Sequence, residues 1–245
     1  MIPKQVFDKY TNLIDDLNLI IEKSLKLLVD KVSTKKIDHL YAISIYLNAI
    51  YGYKAIIQLL KNSEHYIIES NNILRSMLES LFVLKYLSKS PKNAIKRIDN
   101  NYSLYQNKRK LDVLKYDDLE KLRIYINEDE IEEIRKVAKC NKKRTGIKKW
   151  ANQAGLSKFY HVIYDTLSVE AHTNFKSISN KLKIVDKNII FNRPNEPQDY
   201  DTCLFTTFLI FLIVLETIQI IYKIDIEEDI TNLDEKFSQT IKEKK

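Results

Sequence analysis

The sequence predicts an all-α fold, a single-domain bundle of about seven to nine helices. Three observations predict it. The 245 residues include three Gly and four Pro, and helices are the architecture that needs these residues least. Apolar residues recur at three- and four-residue intervals along almost the whole chain. No internal repeat, Gly-rich phosphate loop or low-complexity linker divides it. A chain of this length buries one large core, and 44% hydrophobic with 30% charged residues is a folding composition. Residues 1–245 are therefore read as one domain, with a core over about 36–223 and a more exposed, charged stretch at 117–155.

Residues 3–32 place Val6, Leu13, Leu17, Ile20, Ile21, Leu25, Leu28 and Val32 on one helical face, opened by Pro3. After a VSTKK turn, residues 36–61 repeat the pattern with Leu40, Ile43, Leu47, Ile50, Ile57 and Leu60. A third helix covers 64–89. Pro91, at a first-turn position, starts a fourth that runs to about Tyr116. From 117 to 155 the pattern shortens, which predicts two or three short helices and a basic loop around 141–147, where Gly146 permits a turn. Residues 157–175 form a helix with Ser157 as its N-cap. Two β-branched runs about Asp186-Lys187-Asn188 predict a small β-hairpin near 181–194, closed by Pro194 and Pro197. A strongly apolar helix, 199–223, and a charged one end the chain.

Charge and cysteines narrow the function classes. The formal charge of +7 favours a polyanionic partner without approaching the density of a DNA-binding tail. Basic residues gather at Lys108–Lys110 and around Lys139, Lys142, Lys143, Arg144, Lys148 and Lys149, and acids gather at 117–120 and 128–133. These runs are solvated helix faces and a loop, or the wall of a nucleic-acid groove. Cys140 and Cys203 lack metal-ligand spacing and suggest neither a disulfide framework nor a zinc site. No paired E-x-x-H elements exist for a di-iron centre, so neither a metal nor a cofactor is expected. The opening MIPKQVFDKY is charged and unlike a signal peptide. Residues 203–222 are long enough to span a bilayer, but Glu216 and Gln219 interrupt them, and a helix enclosed in a bundle explains them better. A cytoplasmic protein is expected, with no membrane partner.

Candidate chemistry lies in two polar stripes. In NNILRSMLESLFVLKYL, residues 71–87, Asn72, Arg75 and Glu79 share an arc of an otherwise apolar helix. An isolated Arg–Glu pair at i,i+4 contributes only ~0.2–0.5 kcal/mol on an exposed helix, too little to favour retaining charges inside a core. A shared polar site explains the pair better. The second stripe, His161, Asp165, Ser168 and His172, follows spacings of 4, 3 and 4, with Tyr164 on the adjacent apolar edge. If the two helices pack together, Arg75, Glu79, Ser168 and His172 converge. A His near neutral pKa exchanges protons, Glu orients it, and Arg stabilises a phosphate-like transition state. Those are the parts of a metal-independent ribonuclease, and equally of a passive anion or small-ligand pocket. A Ser-His-Asp hydrolase is not supported, since no G-x-S-x-G elbow is present.

R-S-M-L-E-S at 75–80, the Trp of K-K-W-A-N-Q-A-G at 148–155 and Y-H-V-I-Y-D-T-L-S-V-E-A-H at 160–172 resemble an uncharacterised bacterial all-helical family. The resemblance runs from about residue 40 to 222. That family looks loosely similar to HEPN-like helical proteins, many of them RNases of toxin–antitoxin and phage-defence systems. The resemblance matches Arg75, Glu79, Tyr164, Ser168 and His172, and implies RNA as a partner, a homodimer, and a neutralising or regulatory protein. The chain departs from the HEPN signature of Arg followed four to six residues later by His: none of His39, His65, His161 or His172 has such an Arg upstream. Together these readings give an intracellular defence or toxin-like effector. His172 is its acid/base, Arg75 its phosphate stabiliser, Glu79 and Ser168 its orienting residues, and Asn72, Tyr164, Asp165, His161, Lys143, Arg144 and Lys148 its binding residues. The rivals are a non-catalytic interaction or anion-binding protein and a membrane-associated effector using helix 203–222.

Overall fold

Apolar periodicity becomes helix at every long stretch of the computed structural model, which describes residues 4–62, 66–116, 145–171, 182–185, 188–191 and 197–242 with isolated positions 121, 123, 126, 131 and 132. The helices are α1 (Lys4–Leu28), α2 (Ile37–Asn62), α3 (Ile67–Lys89), α4 (Pro91–Lys115) and α5 (Ile147–Ala154). The next, α6, is composite: an α turn Ser157–Phe159, a π-helical turn Tyr160–Tyr164 and an α-helix Asp165–Ala171. A hairpin follows, β1 (Leu182–Val185) and β2 (Asn188–Phe191), paired antiparallel from Leu182 with Phe191 to Val185 with Asn188. Two further helices are α7 (Pro197–Tyr222) and α8 (Glu227–Lys242). The chain is an all-α bundle.

Helix α3 is the centre of the arrangement. It packs on α2 and α7 along its length, and on α4, α5 and α6 around its remaining surface. An element covered on so many sides must be apolar nearly all round, which explains the run Leu74, Met77, Leu78, Leu81, Phe82 and Leu84. Gly52 admits the close approach of α2, because a Cβ there would meet Met77 Cγ at 2.8 Å. Helices α1 and α8 pack on one another and on α7. Pro91 stands at the start of α4, where its missing N–H costs nothing.

Several expectations are corrected. Pro197 opens α7 instead of closing the hairpin, and for the same reason as Pro91: the first helical N–H has no intrahelical partner to lose. Ser157 is the first helical residue, not an N-cap, because Asn152 Oδ1 accepts its hydroxyl at 2.8 Å. The turn there is set by Gly155 at φ +76°, with Leu156 N–H donating to Ala151 O, a left-handed helix stop. Gly146 does not supply a glycine turn, since its φ of −72° suits any residue. In α2 the buried stripe is Ala42, Tyr46, Ala49, Ile50, Tyr53, Ile56 and Leu60, while Leu40 is exposed.

Tyr10, Tyr46, Tyr53 and Tyr222 are buried with each hydroxyl on an acceptor or hydroxyl partner. Tyr10 donates to Asp201 Oδ1 at 3.1 Å, Tyr46 pairs with Ser24 Oγ at 2.6 Å, Tyr53 donates to the Ile14 carbonyl at 3.3 Å, and Tyr222 to the His39 carbonyl. Two helices, Ile37–Lys61 and Pro197–Tyr222, are long and apolar enough to cross a membrane by length and composition. In the fold α7 uses that surface in the core, with Phe208, Phe211, Leu215 and Ile218 fully buried and Glu216 exposed.

Burial pushes the phenols of Tyr46 and Tyr222 up to about 12, and raises those of Tyr10 and Tyr53, with the Asp201 and Asp15 charges adding to the latter two. Their folded values lie above the unfolded value near 10. As pH rises past it the unfolded chain releases protons that the fold retains, so this stability is complete below pH ~10 and is lost above it. Urea midpoints should hold level to about pH 9.5 and then fall steeply. A flat profile through about pH 11 contradicts the burial of these hydroxyls.

Candidate functional site

Arg75 and Glu79 lie one turn apart on α3, and α6 crosses them. Tyr164, the last residue of the π turn, is buried against Phe82 and inserts its hydroxyl between the two charges. Arg75 Nη2 donates to Tyr164 Oη at 3.1 Å, and Tyr164 Oη donates to Glu79 Oε1 at 2.7 Å. The direct Arg75 Nε to Glu79 Oε1 separation is 3.6 Å, an ion pair too long for a hydrogen bond. The guanidinium carbon also lies 5.2 Å from the Tyr164 ring centroid. One phenol therefore ties two helices together through both charges.

The π turn places that phenol. Asp165 N–H donates back to Tyr160 O, one residue wider than an α-helical bond, and the local widening shifts the side chains that follow. The expected single stripe consequently divides. Tyr164 and Ser168 face α3, whereas His161 and Asp165 are about half exposed and pair with one another at 3.4 Å, Nδ1 to Oδ2. Tyr160 stacks on Tyr164 at 5.1 Å and meets His161 edge-on. Ser168 Oγ and Arg75 Nε are buried and, among the described residues, make no hydrogen bond of good geometry, though Ser168 lies near enough to the Tyr164 hydroxyl to act on its proton.

Electrostatics fix the proton on Tyr164. Burial raises its pKa most, the Glu79 carboxylate raises it further, and Arg75 and Ser168 oppose both. At neutral pH it is a phenol that accepts from the guanidinium and donates to the carboxylate. The cluster is therefore neutral overall but polarised, with side chains of Arg75 and Glu79 exposed by 26% and 37%. It is a rim site and not a sealed charge pair.

Other expected site residues fall elsewhere. Asn72 belongs to a cleft of about 440 Å³ between α2 and α3, lined by Asn48, Gly52, Asn72, Ser76, Met77 and Ser80. Asn72 shares the helical arc of Arg75 and Glu79, three residues before Arg75, and lines the side of that arc that faces α2. Lys148 is exposed on the first turn of α5. His172, Lys143 and Arg144 lie outside the described residues. Tyr164, assigned from sequence to an apolar edge, is instead the joint of the site; its place four residues before Ser168 was the available signal. No three His, Cys, Asp or Glu side chains cluster as a metal site among the described residues.

An all-α bundle carrying an Arg–Tyr–Glu cluster across two helices is the class that fold and geometry define. Residues 39–189, more than half of the chain, match the family of unknown function DUF5677, and the chain belongs to that family. The matched span includes both halves of the cluster. No curated protein and no solved structure matches the chain.

Two substitutions test the geometry. Tyr164→Phe removes the bridge and should cost about 1–2 kcal/mol in urea unfolding. A double-mutant cycle with Arg75→Ala should give a coupling of about 0.5–1.5 kcal/mol, and additivity would disprove the contact. Ser168→Ala removes a buried hydroxyl without a partner and should be neutral or stabilising by up to about 1 kcal/mol. A loss above that size means the hydroxyl is bonded.

Proposed function

We propose that the protein is an intracellular, metal-independent endoribonuclease of a defence or toxin-like effector type, acting at the Arg75–Tyr164–Glu79 cluster. The observation that supports this reading is the partly exposed guanidinium of Arg75, held in position by the Tyr164 hydroxyl from another helix. A guanidinium is a donor suited to phosphate oxygens. In the proposed step the RNA 2′-oxygen attacks the adjacent phosphorus and the bond from phosphorus to the 5′-oxygen breaks. A 2′,3′-cyclic phosphate and a free 5′-hydroxyl result. His172 takes the 2′-hydroxyl proton and returns one to the departing oxygen. Arg75 stabilises the charge that builds on the phosphorane, and Glu79 orients, through Tyr164, the groups that hold it.

A second reading has its own support. Glu79 already balances Arg75, so the cluster is satisfied without a ligand, as a non-catalytic scaffold or regulatory anion site requires. Labelled RNA incubated with the full chain in chelator separates the two. Under the first reading, wild type cleaves, and Arg75→Ala or His172→Ala lowers the rate about a hundredfold or more with folding retained. Cleavage unchanged by either substitution, or absent from the wild type, rejects the enzyme. Under the second, Arg75→Ala affects the thermal midpoint alone.

A further inference from the structure

Helix α4 is 25 residues long, yet Ala94 is its single buried residue. Its first turns are seated: Ile95 and Ile98 pack on the core, Arg97 rests over the Tyr86 ring at 5.3 Å, and Asp99 accepts from Tyr41 at 2.7 Å. Beyond Asn101 the same helical face continues into solvent. Spacings of three and four carry it from Ile95 and Ile98 through Tyr102, Tyr105 and Arg109, and Tyr116 follows α4 as its extended C-cap residue. The three rings are 64%, 42% and 59% exposed. Arg109 lies 5.5 Å from the Tyr105 centroid, which presents the guanidinium and the ring as one platform.

Charge points to the occupant. The helix carries seven Lys and Arg side chains against two acids, Asp99 and Asp112. Asn101 Nδ2 donates to the Thr145 carbonyl at 3.2 Å and Asn101 Oδ1 accepts from Thr145 N–H at 2.9 Å. This two-bond clamp ties Thr145, just before α5, to α4 at Asn101, and Lys148 and Lys149 are exposed on the helical turn that follows. An apolar partner helix would need aliphatic seam positions, and here the seam reads Tyr, Tyr, Arg, Asp, Tyr. A duplex offers no ring faces to stack upon. Unpaired bases on a phosphate chain supply both missing complements, π faces for the tyrosines and negative charge for the cations.

We propose that the outer half of α4 is a binding surface for single-stranded RNA. Tyr102, Tyr105 and Tyr116 stack on unpaired bases, and Arg109, Lys108 and Lys148 contact phosphates. The choice of RNA over DNA rests on the cleavage reading above; the surface itself does not.

Fluorescence anisotropy of a short labelled oligouridine with the full chain tests this. The combined Tyr102→Ala and Tyr105→Ala variant should raise Kd about tenfold or more. The matching Phe variant keeps the rings and should stay within about twofold, which separates stacking from a folding defect. Arg109→Gln should flatten the dependence of log K on log salt by about 0.7. A 2′-O-methyl oligouridine, which has no free 2′-hydroxyl and is not cleaved, should bind as tightly, so a failed cleavage assay leaves this result standing. Undetectable binding by wild type, or equal binding by the Ala variant, overturns the proposal. Equal affinity for the DNA oligomer overturns the commitment to RNA, and binding to anionic vesicles in place of RNA overturns the surface assignment.

Discussion

The hydroxyl of Tyr164 is the constraint on which the site depends. A guanidinium and a carboxylate one turn apart on α3 do not reach each other within hydrogen-bonding distance, and a phenol from a distant part of the chain closes the gap. Its roles are fixed in direction: it accepts from Arg75 and donates to Glu79, so it must be protonated. Burial and the carboxylate keep it so. The π turn exists in the same economy of geometry. An uninterrupted α-helix would leave Tyr160, His161 and Tyr164 on a different rotation relative to α3, and the extra residue of the wide turn shifts it.

The rest of the bundle serves to hold α3 in place. Three layers of contact meet on it: α2 through the gap at Gly52, α7 through a helix whose apolar surface is mostly enclosed, and α5 through the pairing of Tyr86 with Trp150. At the far end of α3, Lys89 Nζ donates to the Ala154 carbonyl at 2.7 Å, where a Cβ on Gly155 would intrude within 2.8 Å. That contact caps α5 and anchors the chain just before it turns into α6. The position of Tyr164 is therefore traceable to a glycine nine residues earlier. Large tyrosines fill the remaining core, and Tyr10, Tyr46 and Tyr53 each bond their hydroxyl to a neighbouring side chain or carbonyl.

Helix identity was legible because it depends on short-range periodicity, and the long helices fall within a few residues of the spacing-based expectation. The hairpin was legible from β-branched runs flanking a turn-forming triplet. What the pattern concealed were choices made by tertiary contacts. Tyr46 and Tyr53 are interior although tyrosine is as often at a surface, and only Ser24 and the Ile14 carbonyl decide the matter. Pro197 reads equally as a terminator or an initiator until its neighbours are known. Arg75 and Glu79 stand out as charges in an apolar helix, whereas spacing alone puts Tyr164 on an apolar edge, and only the family resemblance marks it as a binding residue. The π turn has no residue signature in YHVIY and was beyond reach.

Partial exposure decides what the cluster is able to do. Were Arg75 and Glu79 fully enclosed, desolvation would demand complete pairing, and any ligand would have to displace a strong internal contact. Fully exposed, solvent would screen the pair until it held nothing in place. With Arg75 about a quarter and Glu79 more than a third exposed, and one long ion-pair contact between them, the guanidinium keeps its position through Tyr164 while part of it faces solvent. A fixed cation at a rim differs physically from a helix-surface salt bridge. It has lost its rotational freedom to the phenol, so an anion arriving there meets a donor already ordered. That preorganisation, supplied by a side chain on another helix, is why the Arg–Glu spacing on α3 is more than a local ion pair.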